Sequence, residues 1–172
     1  DYRKGYSANK RLGGGVIFDD IHEIDSVYWL MGKPKEIFCY ADTISNLKID
    51  TEDIAEIFLK FRSGSVAQIH LDYLQSVYRR YYEFIGEKGV IVWDYMAEEV
   101  KLHTAKTTVR KVFNEKIGSK REIMFIDEVK HFIDCIKAGR RSVNDIKSAA
   151  EILEIALACH ASACKKEIIK LW

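Results

Sequence analysis

The hydrophobic period changes twice along this chain, and that restricts the fold more than any single motif does. Ile21, Ile24, Val27 and Met31 recur at helical spacing. From Ile37 onward the period falls to two. Ile37, Cys39 and Ala41 read as one strand; Ile57, Leu59 and Phe61 alternate with Glu56, Phe58 and Lys60; Ala67, Ile69, Leu71 and Tyr73 alternate with Gln68, His70 and Asp72. Arg62-Ser63-Gly64-Ser65 and Gly86-Glu87-Lys88-Gly89 are hairpin turns, the second between strands Tyr81–Ile85 and Val90–Tyr95. Shorter strands follow at Val100–Thr104 and Val109–Phe113. Past Ser119 the helical period returns through Ile126, Val129, Ile133 and Ile136, closed by Gly139. A last helix starts near Asn144 or Asp145 and carries Ala149, Ile152, Ala156, Cys159 and Ala163 on one side. Helix, hairpin-linked strands, then two helices predict an α+β fold: a mainly antiparallel open sheet with helices on one face.

No repeat or linker interrupts this order, so residues 1–172 read as a single domain, long enough for a real core. Charge is balanced, 27 basic against 26 acidic residues, which gives no bulk electrostatic reason for nucleic acid or an anionic membrane as partner. Tyr78-Arg79-Arg80-Tyr81-Tyr82 mixes aromatic and basic residues, but it is too short to change that; it reads as strand and loop reaching an anionic substrate group. No apolar run approaches membrane-spanning length. Cys39, Cys135, Cys159 and Cys164 lack metal-ligand spacing and read as buried free thiols of a cytoplasmic protein. The chain opens at Asp1, which reads as a piece of something longer.

The chemistry-bearing residues concentrate in one passage, Gly13-Gly14-Gly15-Val16-Ile17-Phe18-Asp19-Asp20-Ile21-His22-Glu23-Ile24-Asp25. A helix is expected to begin at Asp19 or Asp20, with those carboxylates at its N-terminus. The glycines lack the lysine and hydroxyl of a phosphate loop, and they precede an apolar run instead of following one, unlike a dinucleotide fingerprint. His22-Glu23 is not a zinc helix, because Ser26 stands where the second histidine would be, and no metal is expected. On a helix Asp19, His22, Asp25 and Ser26 share one face. A carboxylate on either side of an imidazole fixes its tautomer and favours its protonated form, as acid–base work requires. The alternative is helix capping plus a solvated polar face. Trp29 and Trp93 read as core or interface anchors. His70 shares a polar strand face with Gln68 and Asp72; His103, His131 and His160 have no partners at useful spacing.

The glycine run, Asp19, His22-Glu23-Ile24-Asp25 and the Trp29-Leu30-Met31-Gly32 ending resemble the second-domain signature of the Gfo/Idh/MocA oxidoreductases. Thr51-Glu52-Asp53, Gly64-Ser65-Val66-Ala67 and Ile85-Gly86-Glu87-Lys88-Gly89-Val90 resemble its later sheet segments, so the likeness runs over nearly the whole chain. It implies an open-sheet domain of the glyceraldehyde-3-phosphate dehydrogenase C-terminal type, following a Rossmann domain absent from this chain. It further implies NAD or NADP in the full-length parent, none bound to this fragment, and oxidoreduction at a secondary alcohol or ketone of a sugar, cyclitol or nucleotide-sugar. His22 matches the family histidine that exchanges a proton with the reacting hydroxyl. Asp19 is the nearest match to the preceding aspartate, three residues before the histidine where four is usual and Phe18 stands. Asp25, Arg79 and Arg80 are the further substrate-binding candidates. A homodimer or homotetramer is expected through a sheet face carrying Phe58, Gln68, His70, Tyr82 and Phe84. The competing readings are a non-catalytic oligomerisation module and a free-standing sugar-binding domain.

Overall fold

A computed structural model describes residues 2–104, 107–114 and 121–171. After three short 3-10 turns (Tyr2–Lys4, Tyr6–Ala8, Lys10–Leu12) come helices α1 (Val16–Asp19) and α2 (Ile21–Met31). Strands β1 (Pro34–Asp42), β2 (Ile54–Phe61), β3 (Val66–Asp72), β4 (Tyr81–Gly86), β5 (Gly89–Asp94), β6 (Glu99–Thr104) and β7 (Thr107–Asn114) follow. Helices α3 (Arg121–Lys137) and α4 (Ile146–Lys165) and the short strand β8 (Ile169–Lys170) complete the order. The fold is α+β with antiparallel sheets, as the periods imply. The strands do not form one open sheet, however. They divide into two four-stranded sheets, β3-β2-β1-β8 and β4-β5-β6-β7.

The chain correspondingly has two compact units, one formed by residues 1–74 and 144–172, the other by residues 75–143. In the first, alternation sorts each strand cleanly. Ile37, Cys39, Ala55, Ile57, Leu59, Phe61, Ile69 and Leu71 turn inward and are buried. Against them pack Val16 and Ile17 of α1, Ile24 of α2, and Ile152, Ile155, Ala156 and Cys159 of α4. Strand register builds the opposite face in rows: Phe38, Phe58 and Gln68; then Tyr40, Glu56 and His70. Phe38, Tyr40 and Phe58 are exposed there. His70 sits between two carboxylates, Nδ1 2.6 Å from Glu56 and Nε2 3.0 Å from Asp72. Burial would lower its pKa, but these two partners outweigh that and raise it.

In the second unit, register puts Tyr82, Phe84, Ile91, Trp93, Val100 and Leu102 on one face. Tyr82 and Phe84 therefore belong to a different sheet from Phe58, Gln68 and His70, so the expected five residues do not share one sheet face. The sequence around residues 74–80 contains no helix that would have marked the switch of sheets.

Four local expectations change as well. Helical structure begins before the expected Asp19 or Asp20, at Val16, because the Val16 and Ile17 amides find their partners across the fold at Glu52. Asp20 occupies the boundary before α2 but makes no side-chain cap bond. Asp145 does cap α4, accepting from the amides of Lys147 and Ser148. Trp29 is exposed, so it is not a core anchor, and Cys164 is exposed where Cys39, Cys135 and Cys159 are buried.

Asp53 is wholly buried at the entrance to β2. Its carboxylate accepts from the amides of Ile44 and Ser45 and from the Ser45 hydroxyl, closing the loop after β1. Burial would raise its pKa, but the Ser45 hydroxyl and the two amides hold the carboxyl below its usual value. The unfolded chain therefore binds the proton more readily, and the stability this group supplies is complete above its unfolded pKa of about 4 and is lost as pH falls below it. Asp53→Asn is expected to cost about 2 kcal/mol at pH 7, through a donor placed against donors. It should also flatten the fall in stability below about pH 4. Urea unfolding at several pH values checks both, and an unchanged acid slope would refute the assignment.

Candidate functional site

The glycine run works by close approach. A Cβ on Gly14 would stand 2.2 Å from the Tyr6 carbonyl oxygen, and one on Gly15 2.2 Å from a carboxylate oxygen of Glu52. Gly15 also has φ 113°, a conformation that disfavours any side chain. The Gly15 amide donates to the Ser7 carbonyl (2.9 Å), which ties the N-terminal turns to the start of α1.

Glu52 then fills the helix N-terminus. The Val16 amide donates to its carbonyl (3.2 Å) and the Ile17 amide to its side-chain Oε1 (3.3 Å). His160 Nε2 approaches the same oxygen at 3.2 Å, outside hydrogen-bond geometry, while its ring stacks on Phe18 at 4.7 Å. Spacing could not reveal this partner of His160, because Glu52 lies far off in sequence. His131, expected to lack a partner at useful spacing, has one: its Nε2 lies 3.5 Å from Cys135 Sγ, four residues on in α3, and accepts from the Val143 amide at 3.2 Å. With a carboxylate already on the amides of α1, the turn offers nothing to a dinucleotide phosphate.

Asp19 ends α1 and His22 sits in the first turn of α2, with the backbone bent at Asp20 (φ −100°, ψ 29°). Asp19, His22, Asp25 and Ser26 therefore do not ride one continuous helix. Asp19 is taken up by two phenols: Tyr6 donates to Oδ1 and Tyr73 to Oδ2, the latter at 3.1 Å. The carboxylate beside His22 is Glu23, 3.2 Å from Nε2. The His22 side chain is 50% exposed, consistent with a group that meets a ligand outside the core. Asp25 follows one turn later and is half-buried. Asp19 and Tyr73 also border a cavity of about 330 Å³, whose other walls are Ser7, Ala8, Leu47 and Ile49.

Arg79 and Arg80 lie in the other unit. The Arg79 guanidinium stands 5.4 Å over the Tyr81 ring. Arg80 packs over Trp93 (5.5 Å) and donates to the Tyr82 hydroxyl (3.1 Å). Among the described residues no cluster of three or more His, Cys, Asp or Glu is placed to hold a metal ion, and no helix is long and apolar enough to cross a membrane.

Residues 1–92 match the GFO/IDH/MocA C-terminal domain family. The chain belongs to that family. Solved structures agree on the fold. An aldose-aldose oxidoreductase from Caulobacter crescentus, complexed with glycerol, is 24% identical with a TM-score of 0.83 over 98% of this chain and 51% of its own. An NAD binding oxidoreductase from Klebsiella pneumoniae is 14% identical with a TM-score of 0.84 over 98% of this chain and 54% of its own. Levoglucosan dehydrogenase, complexed with NADH and levoglucosan, is 18% identical with a TM-score of 0.81 over 93% of this chain and 51% of its own. The chain thus spans about half the length of each. No curated protein matches the sequence significantly.

If Gly15 is fixed by Glu52, Gly15→Ala should lose about 2 kcal/mol through backbone strain and a displaced cap. Gly13, at φ 79° with open space where a Cβ would go, is the control. Gly13→Ala should lose only about 1 kcal/mol. Equal losses in denaturant midpoints would contradict the role given to Glu52.

Proposed function

We propose that this chain is the substrate-side domain of an NAD- or NADP-dependent oxidoreductase acting on a secondary alcohol or ketone of a sugar, cyclitol or nucleotide-sugar. Membership of the GFO/IDH/MocA C-terminal domain family carries the reading, because the matched residues include Asp19, His22 and Asp25 together. The whole protein would work in the cytoplasm, with its nicotinamide cofactor on a preceding Rossmann domain and not on these residues. That cofactor supplies hydride transfer. This chain binds the substrate and moves the proton.

His22 is the group for the proton. Its half-exposed ring can take the proton of the reacting hydroxyl during oxidation and return it during reduction, and Glu23 beside Nε2 stabilises the imidazolium. Asp19 and Asp25 accept substrate hydroxyls. In the full-length protein, His22→Ala should lower turnover by about 10²–10⁴-fold. Stability should change by no more than about 0.5 kcal/mol, as for a surface residue. A normally folded, fully active variant would refute the catalytic role.

The outer face of β3-β2-β1-β8 supports a homodimer or homotetramer. Exposed Phe38, Tyr40 and Phe58 stand beside the Glu56–His70–Asp72 cluster, a mixture of aromatic and polar groups suited to an interface. Light scattering should report an oligomer at micromolar concentration and a monomer for Phe58→Lys. A monomeric wild-type chain at high micromolar concentration would exclude this face as a stable interface.

A further inference from the structure

Asp19 has two carboxylate oxygens in different circumstances. Oδ2 accepts from Tyr73, a half-buried phenol whose ring packs against the core and whose amide is held by the Asp53 carbonyl at 2.9 Å. Oδ1 accepts from Tyr6, a 57% exposed phenol on a 3-10 turn. One donor is fixed by the fold; the other is on the surface. Beside them lies the cavity, with Ser7 and Ala8 from the Tyr6 turn on one wall, apolar Leu47 and Ile49 on another, and Asp19 as its carboxylate.

We propose that Tyr73 is the positioning residue for Asp19, and that the Tyr6 hydroxyl stands where a substrate hydroxyl binds. This rests on the reading of Asp19 as a substrate ligand. A carboxylate at the end of a four-residue helix would rotate freely about its side-chain torsions without a second anchor. Tyr73 supplies that anchor at Oδ2 and leaves Oδ1 aimed outward as the hydroxyl acceptor. Burial, and then the charge and hydrogen bond of Asp19, push the Tyr73 phenol far above its usual pKa. It therefore stays a donor throughout the neutral range. The exposed Tyr6 phenol already shows that Oδ1 takes a neutral hydroxyl, and rotation of the Tyr6 side chain alone would free that oxygen for a ligand's. Apolar Leu47 and Ile49 suit the C–H face of a polyol ring, whose hydroxyls point to Asp19.

The test uses the full-length protein with NAD or NADP and a panel of aldoses and cyclitols, taking the best substrate forward. Tyr73→Phe keeps the ring in the core and removes only the donor. We expect KM to rise about 10-fold with kcat within about 2-fold, since an acceptor aimed equally in ground and transition states affects binding alone. Tyr6→Phe should lower KM or leave it unchanged, because it removes a competitor for Oδ1. In an Asp19→Asn background, Tyr73→Phe should add nothing to KM, a non-additivity that a merely structural role would not produce. If wild type turns over but Tyr73→Phe keeps its KM, or the effects of Tyr73→Phe and Asp19→Asn add in full, the positioning role is overturned while the oxidoreductase reading stands. A panel with no substrate for the wild type counts against both, and His22→Ala with undiminished turnover counts against the proton role alone.

Discussion

Everything near the candidate site hangs on three polar residues at the entrance to β2. Thr51 donates through its hydroxyl to the Ser7 carbonyl at 3.1 Å and accepts at its own carbonyl from Thr43 at 2.7 Å. Glu52 takes the first amides of α1, and Asp53 takes those of the loop after β1. Buried amides without partners cost free energy comparable to a lost hydrogen bond, and these three neighbours satisfy the open ends of three separate segments. The start of α1, and with it the place of Asp19, follows from that local arrangement. The hydrophobic core beneath supplies most of the stability, but it does not by itself say where a four-residue helix must begin.

Much of the architecture could be read from the periods. The inward sets of β1, β2 and β3, the hairpins at Gly64 and Gly86–Gly89, and the Asp145 cap of α4 all follow from side-chain alternation or local hydrogen bonding. What stayed hidden was non-local. Alternation says which residues share a face of a strand, not which sheet the strand joins, so Phe58 and Tyr82 were placed together although they lie in different sheets. The start of α1 was hidden for a related reason: its cap comes from Glu52 across the fold, where local rules look for a capping side chain just before the helix. His160 lacked a visible partner on the same account.

At the site itself, the sequence singled out Asp19 and His22 as neighbours on one helix face. The bend at Asp20 separates their roles instead. Asp19 belongs to the inner rim, where Tyr73 and the cavity walls surround it. His22 belongs to the outer turn, with its ring half in solvent. That division suits a pair in which one residue orients a ligand and the other exchanges protons with it, since the first needs rigidity and the second needs access. Tyr6 and Tyr73 were invisible in the sequence as partners of Asp19, because no spacing rule links an N-terminal turn, a helix end and the end of a strand.

The pairing of β8 with β1 has a consequence for how the chain folds as it is made. Ile169 lies opposite Ile37 and Lys170 opposite Glu36, with the whole of the second unit intervening in sequence. Contacts of such long separation close only after a large loop entropy has been overcome, and they slow folding. During synthesis β1, β2 and β3 are made before the second unit, so the free edge of β1 and the part of the inner face that α4 covers stay open until α4 and β8 arrive. Nascent chains would thus expose an unpaired strand edge while the whole second unit is made, the condition under which strands recruit wrong partners.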